Sequence, residues 1–114
     1  MDHCIFCRII ERRAPGRIVH EDESIVAIED ANPQAPVHLL VMPREHLSSL
    51  KEATSEHVSM LGKLLTVAAR LARERQLESK GYRTVINTGS FAGQSVAHLH
   101  VHVLGGRVFR WPPG

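Results

Sequence analysis

The chain has 114 residues, a formal net charge of +2 and 43% hydrophobic residues, and this length suits one domain with a core of its own. Basic and acidic residues nearly balance at 14 and 12, which excludes the strongly basic face typical of proteins that bind duplex DNA. No apolar run is long enough to span a membrane, and the first residues lack the pattern of a signal peptide. We therefore expect a single domain over residues 1–114, located in the cytoplasm, where thiols stay reduced.

The first half of the chain predicts a short helix followed by three strands. Apolar residues recur at helical spacing from Ile5 to Ile10, and the proline and glycine that follow end such a helix. Two prolines between residues 30 and 36 indicate a loop. The predicted elements are a helix over residues 4–12, a hairpin with strands over 17–20 and 24–29, and a strand over 38–42 that Pro43 stops.

The second half predicts a long helix and two further strands. Thr54 is a suitable N-cap for a helix that runs to about residue 76, and Gly81 ends that unit. Strands are predicted over 82–87 and 95–104, with a glycine-containing loop over 88–93 between them. Antiparallel strands with grouped helices indicate an α+β fold. The predicted buried face of the long helix consists of Val58, Leu61, Leu65, Ala68 and Ala72.

Three of the eight histidines alternate within the last predicted strand, at positions 98, 100 and 102. Alternate side chains of a strand share one face, about 6.6 Å apart, so the imidazoles line up on one side. Such a row can hold a zinc ion or provide a nucleophile that attacks phosphorus, and a chance cluster is the third possibility. Periodicity alone does not choose among them. The opposite face, directed at the core, consists of Ala97, Leu99, Val101 and Val103.

The loop before this strand has the composition of an anion-binding segment. Glycines let backbone N–H groups approach an anion closely, and neutral side-chain donors flank them. An ordinary connection between two strands is the alternative. The residues concerned are Asn87, Gly89, Gly93, Gln94 and Ser95.

The alternating histidines resemble the signature of the histidine triad (HIT) family of nucleotide hydrolases and transferases. Other segments are similar to the histidine triad nucleotide-binding branch of that family, and the similarity covers essentially the whole chain. These segments are Asp30 with residues 33–36 and His38, Pro43 with His46, residues 81–83, residues 93–95, and the C-terminal residues 111–114.

The resemblance implies a HIT-like fold, with a five-stranded antiparallel sheet, one long and one short helix, and a homodimer whose sheets join into ten strands. It also implies hydrolysis of purine nucleoside 5′-phosphoramidates, including lysyl-linked ones, to the nucleoside monophosphate and an amine. Covalent catalysis of this kind splits a difficult displacement into two easier steps.

The resemblance also implies a role for each matching residue. His100 is the nucleophile that forms a nucleotidyl intermediate, His102 and Ser95 contact the phosphate or the leaving group, and His38 supports the triad. Asp30 holds the ribose hydroxyls, and apolar residues line the base pocket. The implied nucleotide-binding set is Ile5, Phe6, Ile9, Ile28, Asp30, Ala31, Asn87, Gly93, Gln94, Ser95, His100 and His102.

Cys4 and Cys7 form a CxxC motif, which is a weak signal by itself. The motif lacks the strand-then-helix setting of a redox pair, and a zinc site needs two further ligands, for which His3, His46 and His98 are candidates. Two buried cysteines in a helical turn are the alternative. A subset of histidine triad proteins binds zinc at this pair. Their pattern implies a closed, structural site made of Cys4, Cys7, His46 and His98, with no metal required for catalysis.

Three functions therefore remain open: a metal-independent phosphoramidase, a zinc hydrolase that uses His98, His100 and His102, and a nucleotide-binding scaffold without turnover. The combination of His38, Ser95, His100 and His102 favours catalysis.

Overall fold

The computed structural model describes residues 3–114 and contains one five-stranded antiparallel sheet with the strand order β1-β2-β3-β5-β4. The predicted α+β fold is confirmed. Within the described residues, no helix has the length and apolar character needed to cross a membrane. The elements are α1 (Ile5–Ile10), β1 (Ile18–Glu21), β2 (Ile25–Glu29), β3 (Val37–Pro43), α2 (Val58–Glu74), β4 (Tyr82–Val85) and β5 (Val101–Gly105), with 3₁₀ turns at Leu50–Glu52, Ser55–His57 and Ser90–Ala92.

Each face of the sheet is covered by one helix. Because strand side chains alternate between the two faces, Leu39 and Val41 of β3 pack in the cluster with α2, while Leu40 and Met42 pack in the cluster with α1. Strand β3 lies in the middle of the sheet and is buried on both faces. The histidines of the β5 segment face α1, and this short helix therefore forms part of their surroundings.

The long helix differs from its prediction in register. Thr54 does act as a cap, but of the 3₁₀ turn that precedes α2, where its hydroxyl accepts a hydrogen bond from the backbone N–H of Glu56. Val58 and Leu65 were predicted to be buried and are 66% and 50% exposed. The true stripe has the i, i+3, i+4, i+7 spacing but is rotated around the helix, and it consists of Leu64, Val67, Ala68, Leu71 and Ala72.

The last strand begins later than predicted, at Val101 instead of residue 95. It pairs with β3 from Val37↔Gly105 to Val41↔Val101. The segment before it leaves the ladder, and the backbone N–H of Leu99 donates to the carbonyl oxygen of Leu47 at 2.7 Å. The predicted alternation nevertheless extends back to Leu99, which is buried in the core beneath α2. The expectation that Ala97 faces the core is wrong, since this residue is exposed beyond the end of β3.

Candidate active site

A cavity of about 490 Å³ lies between α1 and the ends of β2 and β5. Its lining is largely apolar and includes Phe6 and Ile9 from α1 and Ile28 from β2. Its polar end is the part lined by Asp30, His100 and His102, which lie close to one another. A small-molecule site has this composition of apolar walls and a few convergent polar groups. The predicted residues that line the cavity are Ile5, Phe6, Ile9, Ile28, Asp30, Ala31, Ser95, His100 and His102.

The cavity also has lining residues that sequence reasoning missed. Leu40 follows His38 by two residues on β3 and shares its face, so the alternation of the strand could have found it. Gly16 lets the loop after α1 lie close to that helix, since a Cβ there would be 2.6 Å from Ile9 Cγ2. The complete set of missed residues is Pro15, Gly16, Arg17, Glu29, Leu40 and Val96.

Three predicted nucleotide-binding residues, Asn87, Gly93 and Gln94, lie outside this lining. The Gln94 amide is bonded within the protein, where its oxygen accepts from the N–H of Gly89 at 2.9 Å and its nitrogen donates to the carbonyl of Ser48 at 2.7 Å. Gly93 has a φ of 85° and ends the 3₁₀ turn. These contacts hold the loop that leads to Ser95, and direct nucleotide contact by the three residues stays a prediction.

The ring of His100 is buried at the polar end of the cavity. Its Nδ1 lies 2.7 Å from the carbonyl oxygen of His98, which can only accept, so Nδ1 carries the proton and Nε2 keeps a free lone pair. Burial lowers the pKa of His100, against the opposing effects of that hydrogen bond and the Asp30 charge. The ring is therefore neutral near pH 7, as a nucleophile requires.

His102 has the opposite proton arrangement, which it receives from His38. The Nδ1 atom of His38 accepts a hydrogen bond from the backbone N–H of Gln34 at 3.0 Å, so its proton is on Nε2, 2.9 Å from His102 Nδ1. His102 Nδ1 accepts the hydrogen bond from this N–H group, so the proton of His102 is on Nε2. Asp30 lies beside the pair, with Oδ2 at 3.4 Å from His38 Nε2.

Both rings of this pair are neutral near pH 7. Burial lowers the pKa of His102 to about 4, assisted by repulsion from His100 and His38. Burial also lowers the pKa of His38, against the attraction of Asp30. The polar end of the cavity thus combines one imidazole with a free lone pair and one with a free N–H group.

A second cluster lies at the N-terminal end of α1. One ligand atom from each of four residues lies within 4.8 Å of the others, and the residues are Cys4, Cys7, His46 and His98. The Nδ1 atom of His98 is 3.3 Å from Cys4 Sγ, 3.6 Å from Cys7 Sγ and 3.2 Å from His46 Nδ1. Zinc bonds of about 2.0–2.3 Å in a tetrahedron place ligand atoms roughly 3.3–3.8 Å apart. The cluster therefore fits a zinc ion.

The chemistry of these donors agrees with that fit. His98 Nε2 lies 2.9 Å from the carbonyl oxygen of Pro43, so this nitrogen carries the proton and Nδ1 directs a lone pair into the cluster. Burial, with the hydrogen bond and charge of Cys4, raises the pKa of Cys7 to about 11. A cation between the two sulfurs would offset this cost of forming thiolates.

The zinc-hydrolase hypothesis needs His98, His100 and His102 to share one metal, and the geometry does not favour it. Both nitrogens of His98 are directed away from the cavity, one to the cysteines and one to Pro43. Within residues 3–114, these three histidines do not form a cluster of metal-binding size.

The fold and the site together define an α+β protein with three alternating histidines. His98 belongs to a cluster suited to zinc, whereas His100 and His102 line a small-molecule cavity. The sequence model described as "Scavenger mRNA decapping enzyme C-term binding" matches residues 3–108. An uncharacterized HIT-like protein of Synechococcus elongatus is 52% identical over 110 residues, covering 96% of each chain. The chain belongs to the histidine triad family.

A 14 kDa zinc-binding protein of Zea mays is 48% identical, over 96% of this chain and 87% of that protein. Among solved structures, a HIT family hydrolase from Legionella pneumophila has a TM-score of 0.96 at 41% identity, covering 98% of this chain and 100% of that one. A histidine triad nucleotide-binding protein from Candida albicans has a TM-score of 0.81 at 28% identity, covering 96% and 82%. A Zn-bound histidine triad family protein from Mycobacterium smegmatis has a TM-score of 0.79 at 34% identity, covering 93% and 76%.

Proposed function

We propose that this chain hydrolyses purine nucleoside 5′-phosphoramidates through a nucleotidyl intermediate on Nε2 of His100. The observation that carries the proposal is the hydrogen bond of 2.7 Å from His100 Nδ1 to the His98 carbonyl, which leaves Nε2 unprotonated at the polar end of the cavity. The relatives described as a HIT family hydrolase and a histidine triad nucleotide-binding protein support hydrolysis and a nucleotide ligand.

In the first step, His100 Nε2 attacks the phosphorus atom and the bond from phosphorus to the amine nitrogen breaks. The leaving amine needs a proton, and the hydroxyl of Ser95, at the rim of the cavity, is the group proposed to deliver it. The N–H of His102 Nε2 donates to a non-bridging phosphate oxygen and stabilises the charge that develops there. In the second step, water attacks phosphorus and the bond from phosphorus to His100 Nε2 breaks. One proton of that water restores the Ser95 hydroxyl, and the nucleoside monophosphate is released.

The apolar and acidic parts of the cavity provide the proposed nucleotide binding. A flat base is held between Phe6 and Ile9 on one side and Ile28 on the other. The Asp30 carboxylate accepts hydrogen bonds from the two ribose hydroxyls, since each of its oxygens has spare acceptor capacity.

We assign the cluster of Cys4, Cys7, His46 and His98 to one structural zinc ion. The names of the Zea mays and Mycobacterium smegmatis relatives support this assignment. When bound, the ion would tie α1 to the segment before β5, and four protein ligands would leave no position for a substrate. The proposed hydrolysis uses imidazole and hydroxyl groups only.

We also propose a homodimer in which the free edge of β4 pairs with its counterpart. The exposed apolar side chains of Val58 and Leu65 on α2 support it, as does the protection that pairing gives to an edge strand.

The decisive experiment is turnover of matched adenosine and guanosine 5′-phosphoramidates, with and without a chelator. The proposal expects release of the nucleoside monophosphate and the amine in both conditions. Binding of the nucleotide without turnover would contradict the enzyme and support a nucleotide-binding scaffold. Turnover that depends on zinc in a folded protein would support the zinc-hydrolase hypothesis.

A further inference from the structure

A line of hydrogen bonds extends from the C-terminal tail to the polar end of the cavity. Arg107 donates from Nε to the carbonyl oxygen of Gln34 at 3.0 Å. The N–H of Gln34 donates to Nδ1 of His38 at 3.0 Å, and His38 Nε2 donates to Nδ1 of His102 at 2.9 Å. Arg107 is not among the residues that line the cavity, and this line of hydrogen bonds connects it to the site.

The N–H of Gln34 decides which nitrogen of His38 is protonated. A backbone amide can only donate, so Nδ1 of His38 must present a lone pair and the proton must be on Nε2. If the backbone of Gln34 turned away, His38 could take the other tautomer. His102 would then have no donor at Nδ1, and the proton on its own Nε2 atom would no longer be fixed.

The segment that carries Gln34 is exposed and needs contacts to hold its conformation. Residues 31–34 are all exposed. Two local hydrogen bonds contribute. The backbone N–H of Asn32 donates to Asp30 Oδ1 at 2.8 Å, and the side-chain Nε2 of Gln34 donates to the Asn32 carbonyl at 3.1 Å. Arg107 adds a contact from a distant part of the chain, and a charged donor makes a stronger hydrogen bond than a neutral one.

Three contacts of the C-terminal tail position Arg107 beside the carbonyl of Gln34. Gly106 has a φ of +94°, and a Cβ there would lie 2.8 Å from Pro36 Cβ, so only glycine allows this close approach. The guanidinium of Arg107 stacks on the ring of Phe109 at 4.2 Å from its centroid. A second donor of the same group reaches the carbonyl of Val108 at 3.0 Å. These contacts restrict the rotamers of Arg107 and direct Nε to Gln34.

We infer that Arg107 is a positioning residue that holds the backbone of Gln34 and thereby fixes the tautomers of His38 and His102. The catalytic part of this inference rests on the proposed function, because it assigns the N–H of His102 Nε2 to the phosphate. The structural part, the protonation of His38 at Nε2, stands independently of any substrate.

The test compares Arg107→Met with Arg110→Met. The first variant keeps the apolar stem and removes the donors. The second removes an equal charge from the same tail. The backbone carbonyl of residue 110, which the substitution keeps, accepts a hydrogen bond from Arg83 at 2.9 Å. Long-range ¹H–¹⁵N spectra of the imidazoles report the tautomer of each ring. Turnover and the affinity for the nucleoside monophosphate are measured on the same samples.

We expect a single Nε2–H tautomer of His38 in the wild type and in Arg107→Met a mixture that includes the Nδ1–H form. We expect kcat of Arg107→Met to fall about tenfold to a hundredfold, as for other displaced catalytic groups, with nucleotide affinity within about twofold. Arg107→Lys, which restores one charged donor, recovers most of kcat and the single tautomer. Arg110→Met behaves as the wild type.

An unchanged tautomer of His38 in Arg107→Met overturns the inference, whether or not kcat falls. A changed tautomer with unchanged kcat overturns the positioning role. If the wild type turns over no phosphoramidate at all, the proposed function fails, and the imidazole spectra still decide the role of Arg107 at His38.

Discussion

The histidines of the triad do not share one tautomer, since His98 and His102 carry the proton on Nε2 and His100 carries it on Nδ1. Backbone carbonyls and one neighbouring ring produce the difference. The carbonyl of Pro43 accepts a hydrogen bond from His98 Nε2. The carbonyl of His98 accepts one from His100 Nδ1, and His38 donates to Nδ1 of His102. His98 therefore directs a lone pair to the cysteines, His100 directs a lone pair to the cavity, and His102 directs an N–H group to the cavity. This assignment of roles follows from hydrogen-bond partners, because the partner of one ring nitrogen decides which nitrogen is protonated.

The first prediction at this scale concerns the nucleophile. His100→Ala should abolish turnover, because the variant has no nitrogen to bond to phosphorus. It should leave the affinity for a nucleoside monophosphate within about tenfold, or about 1.4 kcal/mol, because Asp30 and the apolar walls provide most of the ground-state binding. Steady-state turnover and calorimetric titration measure the two quantities. Turnover near the wild-type rate would contradict the assignment of His100.

The second prediction concerns pH and His102. Its pKa is about 4 in the folded protein and 6.5 when unperturbed, so between these values the unfolded state binds more protons. Stability must therefore fall as pH decreases from 6.5 towards 4. In His102→Asn this decrease should be smaller by on the order of 1 kcal/mol, allowing for the solvent-exposed part of the ring.

Urea unfolding of both proteins at pH 7.5 and pH 5 measures this difference. Acid also weakens zinc binding, but His102 is not among the proposed ligands and that contribution is common to both proteins. Parallel pH profiles of stability would contradict the prediction.

At the scale of elements, the sequence could predict which face a residue takes more reliably than where an element begins. Alternation correctly put Leu99, Val101 and Val103 on the face opposite the histidines. It could not show that the ladder starts at Val101, because the N–H of Leu99 bonds to the carbonyl of Leu47 in an irregular segment instead of to β3. The protonation of His38 was equally hidden, since its partner is a backbone N–H in an irregular loop.

The third prediction concerns α1 and the metal. The protein purified without added metal should contain about one zinc per chain, and Cys7→Ser should lose most of it, because thiolate and imidazole are ligands that zinc prefers. Chelation should lower stability by about 2 kcal/mol or more, since α1 has only six residues and loses its tie to His46 and His98. The value of kcat should remain largely unchanged.

Elemental analysis, thermal unfolding and turnover after chelation test these statements together. A zinc content near zero would remove the site. Loss of turnover that zinc restores, with the fold intact throughout, would support the zinc hydrolase instead.

At the scale of the whole molecule, two apolar residues of α2 that were predicted to be buried, Val58 and Leu65, form an exposed apolar surface. Val58 and Leu65 are seven residues apart and share one side of the helix, next to the buried stripe but outside it. On the same side, the small residue Gly62 lies between them and the small residue Ala69 lies one turn beyond Leu65. Small side chains leave room for a second helix to approach. The hydrophobic pattern of α2 is thus wider than the surface that its own sheet covers.

The last prediction is that this surface belongs to a homodimer. Sedimentation at micromolar concentration should give twice the mass of 12.7 kDa. Leu65→Glu should weaken association by at least about a hundredfold, or ~2.7 kcal/mol, because a carboxylate would be buried without a partner. Ser59→Glu is the matched control, since it adds the same charge to an exposed position on a different side of α2, and it should remain dimeric. A monomeric wild type at this concentration would contradict the prediction, as would a Leu65→Glu variant that associates as tightly as Ser59→Glu.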